Sequence, residues 1–221
     1  MTRTDGNILI FGGSRNIGYY AAIRLLATSG ATVTFLLRSP TVFDKDEIVQ
    51  PYMESGKTRV VKGDGLVKAN VQRVWDEAGK ERPVDTDLHS GAAKFHITKD
   101  KVGVERLIWH ISGNEWPKEN PEPDEKIIGR DGQKREGLPE FGSFKDLVIV
   151  RPLLLIDGEC KADKLAANGK LDKKPYRIGD EDPCGYVISR QDVAHFIVED
   201  VLKKWEKYRD EYRESAITLA Y

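Results

Sequence analysis

Gly12, Gly13 and Gly18 stand between an apolar run, Asn7-Ile-Leu-Ile-Phe11, and the first helical pattern of the chain. Backbone without Cβ lets amide N–H groups approach an anion closely, and a helix N-terminus behind them favours negative charge. The segment Gly12-Gly13-Ser14-Arg15-Asn16-Ile17-Gly18 therefore has the residue types that cradle phosphate. A strand-to-helix turn without any ligand also welcomes glycine, so both readings stand at this point. Arg15 inside the loop and Arg38, twenty residues beyond Gly18, are cations suited to clamp a further phosphate by charge-assisted bonds. Their alternative is a pair of solvated surface arginines. Asp64, in Lys-Gly-Asp-Gly, stands between glycines and on its own reads as a turn residue.

Acid–base chemistry is thinner. Lys101 and Glu105 lie four apart on a helical pattern. As an exposed pair they contribute only a few tenths of a kcal/mol, about 0.2–0.5. Lysine first is the poorer orientation, and a cation in the first turn opposes the helix dipole. His89 and His96 are the other titratable candidates nearby, and lone histidines more often serve structure. Cys160 and Cys184 have no metal-ligand spacing and no local positive charge that would activate a thiol.

The elements that must position these groups alternate. Strands are expected at 7–11, at Thr32–Leu37 and in Thr-Arg-Val-Val-Lys-Gly-Asp at 58–64, each built on a short β-branched or apolar run. Between them, Ile17, Ala21, Ala22, Leu25 and Leu26 make a helical stripe that Gly30 stops. Residues 43–56 read as a polar helix broken near Pro51. Residues 67–79 read as a helix with Val67, Val71, Val74 and Trp75 inward. Links of this length demand a parallel sheet with crossover helices. A fourth strand at Val84–Ala92 is unusually polar, carrying Asp85, Asp87 and His89. A helix follows at about 100–112, with Val104, Leu107, Ile108 and Ile111 on one stripe. Asp146–Ile156 reads as one buried strand, and Ser189 with Asp192 as a capping box opening a late helix. Ala216–Tyr221 closes the chain as a strand. Residues 113–146, rich in Pro, Gly and charge, form a connection long enough to be functional.

The 221 residues suit one sizeable α/β domain or two small ones, and a net charge of −1 leaves no basic field for nucleic acid. No apolar run approaches a membrane span, the polar start lacks a signal-peptide core, and two cysteines make no disulfide framework. These features together lead to the expectation of a soluble cytoplasmic protein with no nucleic-acid or membrane partner. Nothing in the sequence sets its oligomeric state.

Gly-Gly-Ser-Arg-Asn-Ile-Gly resembles the TGxxxGIG motif of the short-chain dehydrogenase/reductase superfamily. Gly12, Ile17 and Gly18 match; Phe11 replaces the threonine and Asn16 the middle glycine, a mild change because asparagine tolerates positive φ. Gly63-Asp64, Lys101-x-x-x-Glu105, Val148-Ile-Val-Arg-Pro152 and Ile188-Ser-Arg-Gln-Asp-Val-Ala-His-Phe196 resemble, in order, the atypical NmrA-like branch. The resemblance implies a single NAD(P)-binding Rossmann-like domain over 1–221, a doubly wound, mostly parallel sheet. Its substrate-side loops would be 113–146 and 157–186. In that architecture an acidic residue some 20 positions past the glycines accepts the ribose hydroxyls of NAD, whereas arginine accommodates a 2′-phosphate. Arg38 occupies that position, so NADP(H) is the expected coenzyme. The family's roles would put Asp64 at the adenine amino group, Gly91 beside the cofactor and Lys101 at the ribose, as the one catalytic candidate.

Two departures qualify the resemblance. The superfamily's tyrosine precedes its lysine by four residues; here that position is Ile97, and no tyrosine occurs between Tyr52 and Tyr176. Moreover, only thirteen residues separate Leu88 from Lys101, too few for the expected helix and fifth strand. The chain therefore reads as a family member lacking one central strand–helix unit, with an internal deletion near 90–100. The strand at 146–156 must then either move over to the fourth strand or leave buried edges unpaired. Three functions follow: an oxidoreductase acting on a small carbonyl or alkene, a non-catalytic NADP-binding regulator, or a truncated inactive variant.

Overall fold

The computed structural model describes residues 4–65, 67–79, 86–89, 99–116, 118, 140–143, 148–169, 175–179, 185–212 and 216–221. β1 (Asn7–Phe11), β2 (Thr32–Leu37), β3 (Thr58–Lys62) and β4 (Thr86–His89) form a parallel sheet in the order β3-β2-β1-β4. Phe11 lies opposite Leu36 on one side and His89 on the other, and Leu37 lies opposite Lys62. All four strands therefore end at one edge. The chain winds outward from β1 in both directions, which makes the gap between β1 and β4 the switch point of the sheet.

Alternation along the strands covers both faces. Ile8, Ile10, Val33, Phe35 and Leu37 pack on α1 (Asn16–Thr28) through Ala21, Ala22, Leu25 and Leu26. Leu9, Leu36 and Val61 point the other way, onto Val74 of α3 (Lys68–Ala78). The larger core continues into a long composite helix: α6 (Arg190–His195), a π-helical segment (Phe196–Leu202) and α7 (Trp205–Glu211). A doubly wound α/β layer structure, as expected from the sequence, is the result.

Several local expectations are corrected. Residues 43–56 are not one helix broken at Pro51: a 3₁₀ turn (Pro40–Phe43) is followed by α2 (Gln50–Glu54). Proline lacks the N–H that a first turn leaves unused, so Pro51 starts this helix. On α3 only Val74 and Ala78 are buried, with Val71 packed beside them; Val67 at the N-cap and Trp75 are 47% and 44% exposed. The run to Ile156 is two strands, β5 (Ile149–Pro152) and β6 (Leu154–Ile156), in different sheets. Leu153 N–H bonds Leu219 while Leu154 N–H bonds Tyr186, so the chain changes partner between adjacent residues.

β5 does not move over to β4. It pairs in parallel with β9 (Ala216–Ala220), which also holds β7 (Arg177–Gly179) antiparallel. β6 pairs with β8 (Val187–Ser189). Among the described residues, β4 is thus the edge of its sheet. The expected junction near 90–98, with Gly91 and His96, lies outside the described residues, as does most of 113–146.

α4 (Lys99–Ile111) carries Glu105, whose two carboxylate oxygens accept from Arg151 of β5 at 2.6 and 3.1 Å. The capping box is half formed. Ser189 Oγ accepts from Asp192 N–H at 3.0 Å, but Ser189 N–H goes to the Tyr221 hydroxyl at 3.1 Å.

Candidate coenzyme site at the sheet edge

The turn after β1 has the backbone its sequence calls for. Gly12 takes φ +73°, and Asn16, where the family motif has glycine, takes φ +59°. Asparagine is among the few residues that enter this left-handed region at modest cost. Gly13 is needed for space instead: a Cβ there would stand 2.6 Å from ring carbons of Phe35 and 2.8 Å from Ile10 Cγ2. Gly18 is buried on α1, and Ile17 packs partly against the core. Gly12 and Arg15 are exposed and Ser14 is half-buried. The loop leaves its backbone open in front of a 13-residue helix, the kind of N-terminus that favours an anion.

Arg38 and Asp64 join it by register. Arg38 directly follows β2 and is exposed, and the next strand leaves the sheet beside it, with Gly63 N–H bonded to Leu37 O at 2.8 Å. An open cleft of about 620 Å³ runs from Arg38 and Asp64 along Lys62 and Gly63 to Asn70 and Arg73 of α3. Its walls unite Arg38 with Asp64; Arg15 is not among them. Lys62, Asn70 and Arg73 were not singled out from the sequence. Their signal was the spacing of Asn70, Arg73 and Glu77, a second helical stripe beside the apolar one.

Lys101 lies in the first turn of α4, and its side chain lies outside the described residues. One turn later, Glu105 is already held by Arg151 at both oxygens, as an exposed Lys101–Glu105 pair would not require.

The other titratable groups are engaged elsewhere. Tyr176 is buried, its hydroxyl 2.9 Å from His195 Nδ1 and donating to Asp200 at 3.1 Å. Burial and the Asp200 charge push its pKa far up, so it supplies no proton at neutral pH. Burial pushes the Cys160 thiol up to about 12, which leaves it an inert core thiol. Cys184 and the side chain of His89 lie outside the described residues. The fully buried Asp192 carboxylate accepts from Tyr221 Oη at 2.6 Å, Ser189 Oγ at 2.9 Å, Ala162 N–H at 3.0 Å and Lys161 N–H at 3.1 Å. Burial alone would raise its pKa, but these donors together lower it. Asp192 is a structural hub joining α6, Tyr221 just beyond β9, and the start of α5 (Lys161–Ala167). Among the described residues no three metal-ligating side chains cluster, and no helix is long and apolar enough to cross a membrane.

A glycine turn at the carboxyl edge of a β3-β2-β1-β4 parallel sheet, with helices on both faces, defines a Rossmann-type fold. Solved structures agree. A Rossmann-fold NAD(P)-binding family protein from Shigella flexneri superposes with a TM-score of 0.56 at 18% identity, covering 97% of this chain and 93% of that one. A short-chain dehydrogenase/reductase from Veillonella parvula, solved in complex with NADP, gives 0.51 at 14% identity, covering 97% and 94%. In sequence, the chain is similar to the reductase pytE of Aspergillus terreus, 32% identical over 145 residues. That match covers 61% of this chain, and the chain spans about half of the reductase's length (51%). No protein-family model matches the chain.

Proposed function

We propose that this chain is an NADP(H)-binding protein of the atypical short-chain dehydrogenase/reductase type, NmrA-like, forming one domain in the cytoplasm. The observation that carries the reading is the union of the glycine cradle with Arg38 and Asp64 at one sheet edge. Gly12 to Gly18 hold the pyrophosphate, Arg15 and Arg38 the 2′-phosphate, Asp64 the adenine amino group, and Lys101 the ribose. Guanidinium groups suit a doubly charged phosphate, whereas a diol would call for a carboxylate at Arg38. The reduced coenzyme, when bound, supplies a hydride. The substrate is then a small carbonyl or alkene, received by the loops 113–146 and 157–186.

Titration of the folded protein with NADPH and NADH by calorimetry tests the binding claim. Saturable binding that favours NADPH at least tenfold, and loses that preference in R15A/R38A, supports it; equal affinity for both coenzymes, or none, overturns it.

A second reading is favoured by Ile97, which stands where the superfamily's tyrosine would be. Without that proton donor the chain is an NADP-binding regulator that performs no reduction. Loss of hydride from bound [4-²H]NADPH to a panel of aldehydes, ketones and enones decides between the two.

A further inference from the structure

Arg73 lies outside the glycine loop and outside the expected arginine pair, yet it is the side chain that fastens α3 to the rim of the cleft. Its Nη2 donates to the main-chain oxygen of Lys62, the last residue of β3, and to Asn70 Oδ1 at 3.1 Å. That oxygen lies on the open side of the edge strand. Neighbouring residues of a strand present their amides to alternate sides, and Gly63, one residue on, turns its own N–H inward to Leu37. Arg73 thus closes an edge group that β2 cannot reach.

Asn70, the other partner, is pressed against the same turn. A Cβ on Gly63 would stand 2.9 Å from Asn70 Cβ and 2.7 Å from Leu36 Cδ1. The next step is fixed from the helix side, with Val67 N–H donating to Asp64 O at 3.0 Å and Asn70 N–H to Val67 O at 2.9 Å. The Lys62-Gly63-Asp64 turn is held from β2 through Gly63, from the start of α3 through Asp64, and from the body of α3 through Arg73.

We infer that Arg73 is a positioning residue: it sets the Gly63–Asp64 turn, and so the adenosine half of the coenzyme site, without touching the 2′-phosphate. This inference rests on the coenzyme reading above and assigns a determinant of affinity within that site. Arg73 commits its Nη2 to the Lys62 main chain and to Asn70, whereas Arg38 on the same cleft has no ion pair among the described residues. The two cations therefore divide the work, Arg38 toward the phosphate and Arg73 toward the protein.

The test is calorimetry with two small probes, 5′-ADP and adenosine 2′,5′-bisphosphate, on wild type, R73A and R73K. A charge-assisted bond at an exposed position is worth a threefold to tenfold change, roughly. R73A should weaken both probes by the same factor, about three- to tenfold, with a melting temperature within about 2 °C of wild type, as befits an exposed side chain. R73K, which can still reach the Lys62 oxygen, should recover most of the loss for both. A loss confined to the 2′,5′-bisphosphate would mean direct phosphate contact and would overturn the positioning role, as would unchanged affinity for both probes. Wild type that binds neither probe nor NADPH refutes the coenzyme reading itself, an outcome distinct from either of these.

Discussion

Gly13→Ala is the perturbation whose size the structure determines most directly. The added methyl would meet Cδ1 and Cε1 of Phe35 at 2.6 Å and Ile10 Cγ2 at 2.8 Å, about 1 Å inside ordinary carbon–carbon contact. Neither neighbour is the loose end of a flexible chain. Phe35 and Ile10 are both 0% exposed, and the Phe35 ring packs 5.1 Å from that of Phe43. Relief requires moving a core ring or the glycine loop, and overpacking of this kind costs about 1–3 kcal/mol. For a chain of 221 residues that lowers the melting temperature by roughly 2–12 °C.

Gly56→Ala is the control. Gly56 has φ +74° and open space around its Cβ direction, so it reports backbone strain alone, about 1 kcal/mol. Phe35→Leu shortens the offending ring. In its background the Gly13 methyl enters partly vacated space, so the double mutant should be at least about 1 kcal/mol more stable than the sum of the single effects. Urea unfolding followed by circular dichroism on all five proteins measures this coupling. Additivity within about 0.5 kcal/mol, or a Gly13→Ala protein as stable as wild type, would refute a glycine retained for packing.

Asn16→Gly should leave stability and coenzyme affinity near wild type, whereas Asn16→Ala should cost about 1 kcal/mol because of the φ of +59°; chemical denaturation reads both. Asp192→Ala strips a hub carboxylate from several buried donors and should destabilise by about 3 kcal/mol or prevent folding, seen in the soluble yield and urea midpoint. His195, half-buried, has its pKa lowered first by burial and then by the Arg24 charge. A depressed folded pKa means the unfolded chain binds the proton more readily. Its stability contribution is therefore complete above pH 6.5 and is lost as pH falls through the folded pKa. His195→Gln should flatten the stability–pH curve between pH 7 and 5, a range over which one proton contributes at most about 1.4 kcal/mol per pH unit.

The first half of the fold was legible because each element there carried one strong period. β1, β2, β3 and α1 matched to within a residue or two, since buried parallel strands are apolar runs and α1 shows its core stripe openly. Where two signals competed, the reading slipped. Pro51 reads as a helix breaker but starts α2, and Trp75 falls on the expected inward stripe although Val74 and Ala78 already fill the face toward the sheet. The split between β5 and β6 had no local mark, because a run of Leu and Ile is equally apolar in either sheet. What decides it is the positions of β9 and β8. The site divided in the same way. Gly12, Asn16, Arg38 and Asp64 lie within a few residues of a strand end, so the sequence places them at the sheet edge. Arg73 shares a polar stripe of α3 with Asn70 and Glu77, but its role comes from tertiary contact with Lys62, eleven residues away, which that stripe does not specify.

The proposed coenzyme site stands apart from the irregular second half of the chain. The glycine turn and the Arg38–Asp64 cleft draw only on β1, β2, β3, α1 and α3, which brace one another on both faces of the sheet. The strands after β4 brace a different sheet, with β5 on β9, and reach the first through α1, which packs along the composite helix. Arg24 of α1 bridges to Glu199 and Asp163, and the Asp192 hub ties the start of that helix to Tyr221, just beyond β9. Loss of a central strand–helix unit would thus strike the nicotinamide side of the crevice, next to β4, and spare the adenosine side. The physical expectation is a protein whose affinity resides in the adenosine half of the coenzyme. Adenosine 2′,5′-bisphosphate should then compete with NADPH at nearly equal affinity, and an added nicotinamide mononucleotide should compete with neither. If NADPH binds a hundredfold more tightly than the bisphosphate, a working nicotinamide pocket exists and the second half is better built than its strand order implies.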